Sequence, residues 1–509
     1  MANTVRITYK SFREGFAGLL VGAMLLALPC AVCLAQPEEP GPAAKPMETS
    51  SELEIFNVDE AVEYALEHNP DYLRSGLNLQ MAELNFDYNA AIFDPTFQAE
   101  LNANRTSTGG GTNAALQALS GSNSGTINSK LGYSWLFHGG DAVKLSLGSD
   151  RAVSTALLGD TPTSIKAYTS AFGLAYTRPL LRGFGSAVTM AGIDRAVIDV
   201  AISGKAVESA KAELVYAVRI AYLRAVAARE AVGVSQVSLT EAENLYAETK
   251  AKVEAGLLAP YQKIAAEAGL YTREEELIRA KGEYEKAKNG LKEILGVGPE
   301  MQIDISAGME IVFPAIDEAS AVERALEARP DIGELKLRLS RAEVDLRLAV
   351  DSVKPELGFT GGMGLQGQDA EYSKSLGNMN NFSWNAGLLY TVPLGGNSAA
   401  KAKRQSAELA IDDIKLQLRG LEERVRREVS DALVELGNAR ERLRVAQTGL
   451  DASKVKMAAE KQRFELGLIT AGDLLEYERE YSQAQLAEVQ AHIELWQAEA
   501  LLAKLTNGW

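Results

Sequence analysis

The chain of 509 residues carries 52 Lys and Arg against 68 Asp and Glu, a net charge of −16 at pH 7. That balance argues against nucleic acid as a partner, because phosphate binding needs a basic surface. The only two cysteines, Cys30 and Cys33, lie within the first 35 residues, so the remainder has no disulfide framework, thiolate metal site or cysteine nucleophile.

Residues 1–35 read as a secretory signal peptide that is removed. Arg6, Lys10 and Arg13 precede an apolar run from Gly15 to Leu28, and Cys33-Leu34-Ala35 offers small residues for cleavage before Gln36. The run is shorter than the ~20 residues an anchoring helix needs. Without this segment, which holds three basic residues and one acid (Glu14), the charge becomes −18. Residues 36–55 include Pro37, Pro40, Pro42 and Pro46 and are expected to form an extended tether. No later stretch is apolar for long enough to span a membrane as a helix, which leaves a soluble chain or one that inserts as a β-barrel.

The rest of the chain is one unit written twice, at 56–300 and 301–509. Ala61-Val62-Glu63 and Pro70-Asp71 return 260 residues later as Ala321-Val322-Glu323 and Pro330-Asp331, and Tyr176-Thr177-Arg178-Pro179-Leu180 returns as Tyr390-Thr391-Val392-Pro393-Leu394. So long a period is half of an architecture, not a solenoid repeat. Each unit opens with a helix, at about 57–92 and 316–353, interrupted before Pro70 and Pro330, where proline disfavours helix in the preceding residue. Strands follow, at about 95–178 and 355–393. Phe97, Ala99 and Leu101 alternate with Gln98, Glu100 and Asn102, and similar alternation runs through Leu131–Phe137, Val143–Leu147, Phe172–Tyr176, Phe382–Tyr390 and, more weakly, Leu357–Leu365. The pattern fits either a membrane barrel strand or an ordinary half-buried antiparallel sheet.

Pro95 to Pro179 is 84 residues but Pro355 to Pro393 only 38, so the first unit holds an added hairpin, Leu131–Phe137 with Val143–Leu147, and a small-residue loop over 109–125. Two proline-free helices then run over about 187–254 and 398–466, each on the order of 100 Å long. Leu421, Val425, Val429, Leu433, Leu436, Leu443 and Leu450 recur at coiled-coil spacing in the second. Each long helix turns at a tip, Ala255-Gly256 or Leu466-Gly467, into a returning helix at 260–295 or 472–507.

This order resembles the TolC family of outer-membrane efflux and secretion channels, over about 56–507. The resemblance rests on the duplication, the Asn69-Pro70-Asp71 and Arg329-Pro330-Asp331 breaks, the strand-to-helix passages at Pro179 and Pro393, and the tip Phe464-Glu465-Leu466-Gly467-Leu468-Ile469-Thr470-Ala471-Gly472-Asp473. It implies a mainly α fold with membrane β. Three chains would pool strands into one outer-membrane β-barrel and helices into a periplasmic α-barrel. Twelve strands are preferred, with the added hairpin outside the barrel or joined to its rim; counting that hairpin in gives eighteen. The implied function is passive exit from a tripartite efflux pump or type I secretion system. The partners would be a homotrimer, a periplasmic adaptor, outer-membrane lipid and, indirectly, an inner-membrane pump.

No catalytic residue, cofactor or metal is expected, since His68, His138 and His492 lie in unrelated segments. By resemblance, Asp473 and Glu476 match the acidic positions that ring the periplasmic constriction. Their other reading is a pair of first-turn acids favoured by a helix N-terminus. Phe464, Ile469 and Gln262 stand where the family's charged lock would be and cannot reproduce it, so closure is expected from apolar packing of Phe464 and Ile469 or from other pairs. Gly256, Leu257, Leu258, Gly467 and Leu468 form the candidate adaptor-docking tips; the other reading is that these leucines pack within the hairpins. The alternative is a secreted structural coiled-coil or adhesin-like protein with a soluble sheet.

Overall fold

The computed structural model describes residues 52–55, 57–107, 123–158, 161–305 and 318–506. The expected signal peptide, residues 36–51 of the expected tether and most of the 109–125 loop lie outside these. Residues 52–55 correct the tether reading at its end. They form a strand, β1 (Glu52–Ile55), that pairs in parallel with β6 (Gln302–Ile305) and ties the start of the first unit to the start of the second.

Both units open with a broken helix, α1 (Val58–His68) and α2 (Pro70–Ala90) in the first, α5 (Glu318–Ala328) and α6 (Pro330–Val353) in the second. Proline sits at the first helical position of α2 and α6, where its missing N–H is no loss. The residue before it does different work in each copy. Asn69 caps α2, accepting from the N–H groups of Asp71 and Tyr72 at 3.0 Å each, and donates to Ile294 O at 2.8 Å. Arg329 instead pairs with Asp331 at 2.7 Å and Glu428 at 2.6 Å.

The long helices are α3 (Ala191–Glu254) and α7 (Ser398–Glu465), and the returning helices are α4 (Pro260–Leu295) and α8 (Ala471–Thr506). The two units pack alike. Ala61 and Ala65 sink into a core with Val218, Tyr222, Leu291 and Leu295, while Ala321 and Ala325 sink into one with Val425, Val429 and Leu502. On α7 the buried seam is Val425, Val429, Ala432, Leu436 and Ala439, spaced alternately four and three. Leu433, Leu443 and Leu450 are only half-buried. Alanine at the seam lets helix axes approach closely.

The α4 terminus shows how tightly the units close. Gly296 ends it at φ +74°, and a Cβ there would lie 2.6 Å from the carbonyl oxygen of His68. Gly296→Ala is therefore expected to destabilise the α1–α4 junction by about 2 kcal/mol, from left-handed backbone strain plus displacement of α1. A chemical-denaturation midpoint equal to that of the unaltered chain would refute this.

Six strands form one antiparallel sheet: β2 (Thr96–Ser107), β3 (Asn123–Leu136), β4 (Ala142–Leu158), β5 (Thr161–Pro179), β7 (Glu356–Asp369) and β8 (Asn381–Thr391), paired in the order β2-β3-β4-β5-β7-β8. The added hairpin β3–β4 is thus in the middle of the sheet, paired along its length with β2 and β5. The expectation that it stands outside or on a rim is corrected. Its backbone groups need partners as much as any strand's, and neighbouring strands of matching length supply them. Without that hairpin the sheet would have four strands; it has six, which also overturns the basis for a count of twelve.

Candidate functional site

Registers along the sheet run without a bulge, so every directly opposed pair shares a face. Following them assigns both faces. One carries Phe97, Leu101, Leu131, Tyr133, Trp135, Leu145, Leu147, Phe172, Leu174, Met363, Leu365, Phe382, Trp384 and Leu388. The other carries Gln98, Glu100, Asn128, Lys130, Lys144, Ser146, Thr360, Gln366, Ser383 and Asn385. Most of the apolar face is uncovered, with Phe97, Leu101, Phe382 and Trp384 all more than 60% exposed; near its far end a short helix (Tyr372–Gly377) packs on it, Ser375 Oγ lying 2.9 Å from Ser170 Oγ. The outer edges of β2 and β8 have no strand partner among the described residues. An exposed apolar face of this extent marks an interaction surface, and the two open edges are templates for pairing with another chain.

The passages from sheet to helix are held by two side chains that sequence reading did not single out, Asp351 and Asn397. Buried Asp351, near the end of α6, accepts the Gly183 N–H at 2.7 Å and pairs with Lys354 at 2.9 Å. This holds the bend after Pro179 against the second unit. Beyond Pro393, Asn397 takes a left-handed conformation (φ 51°) and donates to Ser352 O at 3.1 Å, so both passages converge on the end of α6. Pro179 ends β5, and Pro393 lies in the short link between β8 and α7.

The two tips are built alike. Gly256 (φ 73°) and Gly467 (φ 74°) end α3 and α7, with Leu257 N donating to Lys252 O at 2.8 Å and Leu468 N to Arg463 O at 2.9 Å. These are Schellman caps, which need a left-handed residue. Leu257, Leu466 and Leu468 project into solvent, whereas Leu258 is half-buried.

The expected gate residues separate. Asp473 lies at the start of α8, where its Oδ2 accepts from Thr470 N at 2.9 Å and Thr470 Oγ1 at 2.7 Å, and its own N–H donates back to Oγ1. This is a capping box. The Thr470 hydroxyl, and then its backbone N–H, hold the Asp473 carboxyl below the usual carboxylate range. Glu476 is exposed and ion-paired with Arg479.

Phe464 departs from the role expected of it. It is buried with Leu245, Ala266, Ala471 and Leu474, and Lys252 Nζ lies 4.9 Å from its ring centroid. Its packing locks the two hairpins of one chain together and leaves no ring to meet another copy. Ile469 packs at the margin of that cluster, and Gln262 Oε1 is buried without a hydrogen-bond partner.

Beside Phe464 lies a group the sequence did not flag. Glu478 on α8 is buried against Glu241 and Glu248 of α3, Lys461 and Glu465 of α7, and lines a cavity of about 70 Å³. Burial, reinforced by Glu241, raises its carboxyl to about 7, against the opposing pull of Arg273 and Lys461. Among the described residues no group of three or more His, Cys, Asp or Glu is placed to hold a metal ion, and no helix is long and apolar enough to cross a membrane.

A profile of the outer membrane efflux protein family matches residues 321–508, most of the second unit. Among solved structures, the outer-membrane channel OprN superposes with a TM-score of 0.66 at 17% identity, covering 89% of this chain and 90% of that one. The fold is that of a TolC-like outer-membrane channel. The CmeC outer membrane channel of Campylobacter jejuni (TM-score 0.64, 17% identity, 89% and 85% covered) and the open state of the MtrE outer membrane channel of Neisseria gonorrhoeae (0.64, 18%, 88% and 88%) share it. No curated protein sequence matches the chain. The sheet and the paired helical hairpins are the β and α parts of that fold.

Proposed function

We propose that three copies of this chain form an outer-membrane efflux channel, with the six-stranded sheets closing one barrel and the hairpins one periplasmic tunnel. The observation that carries this reading is the sheet: one continuous apolar face, one polar face and two open edges in register. Closing β8 of one copy on β2 of the next satisfies both edges and turns the apolar face to lipid. Three copies of six strands give eighteen. The helices support the same assembly. Leu73, Leu77, Met81, Leu84 and Tyr88 make an exposed stripe along α2, and Leu409 and Leu416 one on α7, as surfaces between copies would require. A soluble adhesin-like sheet would need a cover for its apolar face, and the long helices do not supply one.

The chain supplies a duct and no energy source, so an inner-membrane pump drives transport and a periplasmic adaptor joins the two. Exposed Leu257, Leu466 and Leu468 at the tips are the docking surface for that adaptor, with Gly256 and Gly467 setting the turns. The constriction is assigned to Asp473 and Glu476, each repeated three times around the axis. The channel reading is tested by outer-membrane fractionation and planar-bilayer conductance. A heat-modifiable trimer that conducts is expected; a soluble, non-conducting chain overturns the reading. In the same assay Asp473→Ala with Glu476→Ala is expected to reduce cation selectivity or divalent-cation block. If neither property moves, the constriction lies elsewhere.

A further inference from the structure

The apolar face of the sheet is almost free of acids. Across all six strands Asp369 is its one carboxylate, while Arg105, Arg151, Lys166 and Arg178 point the same way. Arg178, beside the helical passages, is paired with Asp141 at 3.3 Å. Arg105, Arg151 and Lys166 stand at the end of the sheet away from the helices, and no ion pair to any of them occurs among the described residues. In a chain of net charge −16, three cations without an ion pair on a lipid-facing surface call for a partner.

Their height on the sheet says what that partner is. Lys166 is twelve residues from Arg178 along β5, or about 40 Å at 3.3 Å per residue. With a strand tilt of about 40° that becomes roughly 30 Å, the thickness of a hydrocarbon core. The apolar rows lie between these two levels. Arg178 therefore marks one headgroup layer and Lys166 the other, on the side away from the periplasmic helices.

Register then builds a site at that outer level. Arg105, Gly125, Val153 and Lys166 form one row across β2 to β5, and Ala103, Ile127, Arg151 and Tyr168 the next. Gly125, with no side chain, leaves a gap between the two arginines. Ala103, Arg105, Gly125, Ile127, Arg151 and Val153 line a groove of about 270 Å³ there. Arg151 stacks over Tyr168 with its guanidinium carbon 6.0 Å from the ring centroid, and its Nε is buried without a hydrogen-bond partner. Two guanidinium forks above an aliphatic floor suit one kind of ligand, an anionic headgroup with acyl chains below it.

We infer that Arg105 and Arg151 form a binding site for the phosphate headgroup of an outer-leaflet lipid, with Lys166 adding charge and the apolar rows below receiving the acyl chains. Tetrahedral phosphate is preferred to carboxylate because two separate forks can engage its oxygens from different sides. The site rests on the channel reading, since it needs the apolar face in lipid.

The test uses the full chain assembled in detergent, with lipid retention read by native mass spectrometry. The probes are a bis-phosphorylated glycolipid, its dephosphorylated form and inorganic phosphate. The unaltered chain is expected to retain the phosphorylated lipid and not the dephosphorylated one, and millimolar inorganic phosphate is expected to leave that retention in place. Arg105→Gln with Arg151→Gln is expected to weaken retention at least about tenfold, the effect of losing charge-assisted hydrogen bonds. Lys130→Gln, on the opposite face, is expected to retain lipid as the unaltered chain does. Equal retention by the double variant, equal retention of the dephosphorylated lipid, or equal loss in Lys130→Gln overturns the site. Displacement of the lipid by inorganic phosphate assigns the groove to a free anion and overturns the lipid as its ligand. Conductance of the unaltered chain, measured in parallel, keeps the two readings apart: a conducting chain that retains no lipid sinks this site alone, and a chain that does not conduct sinks the channel reading and the site with it.

Discussion

Phe382→Arg is expected to abolish assembly in the outer membrane, while Ser383→Arg one residue later leaves it intact. Register places Phe382 opposite Leu365, itself level with Phe172, Leu147 and Leu131, on the apolar face. That row lies midway between Lys166 and Arg178 along β5, at the centre of the band that would occupy hydrocarbon. Arginine at a barrel midplane costs about 2–4 kcal/mol, and three copies repeat it. Ser383 points to the opposite face, opposite Gly364, where no side chain obstructs a longer one and water is available. The measurement is the yield of heat-modifiable trimer in outer-membrane fractions. If both variants assemble equally, the assignment of faces is wrong. If Ser383→Arg alone fails, the sheet is turned inside out.

Sequence made the fold legible where one physical signal acted alone. The helical breaks at Pro70 and Pro330, the proline-free helices and the glycine tips each follow from local backbone chemistry, and the structure places α1 to α8 accordingly. Strand alternation was equally visible, but pairing was not. Alternation tells which residues share a face within one strand and says nothing of which strands are neighbours. So the β3–β4 hairpin was read as peripheral, and β1, a four-residue strand held by the distant β6, went unread.

At the candidate site the limits were of another kind. Asp473 could be found from the T-x-x-D spacing of Thr470 and Asp473, and that spacing also announces the capping box it forms. Phe464 read as a gate because its position matched one; its burial depends on which helices meet there, which periodicity along α7 does not disclose. Asp351 and Glu478 were illegible for a shared reason. Each is one acid among many on an amphipathic helix, and only tertiary packing makes it the buried one.

Glu478→Gln is expected to remove a pH dependence from the packing of the tip. In the closed hairpins the Glu478 carboxyl titrates at about 7, held up first by burial and then by Glu241, against an ordinary value of 4.5. When the hairpins separate, the group meets water and returns to the lower value. The closed state therefore binds more protons than the open one between about pH 4.5 and 7. Packing is strongest below that window and weakens as pH rises through it, then changes no further above about 7. A difference of this size corresponds to about 3 kcal/mol at pH 8, or roughly a hundredfold in the opening equilibrium. The facing groups set its sign: Glu241 opposes ionisation, while Arg273, itself paired with Glu276 at 2.7 Å, and then Lys461 favour it without outweighing burial. Glutamine keeps the shape and a hydrogen-bonding side chain but has no charge to desolvate. Hydrogen exchange of the amides around Leu245, Phe464 and Leu474, corrected for intrinsic rate, is expected to show equal protection in the two chains at pH 4.5. At pH 8 protection should be about a hundredfold greater in Glu478→Gln. Equal protection at both pH values would mean that Glu478 is ionised and solvated in the closed tip. Greater protection of the unaltered chain at pH 8 would mean that its carboxylate is held by Arg273 and Lys461, and that the tip tightens rather than loosens as protons leave.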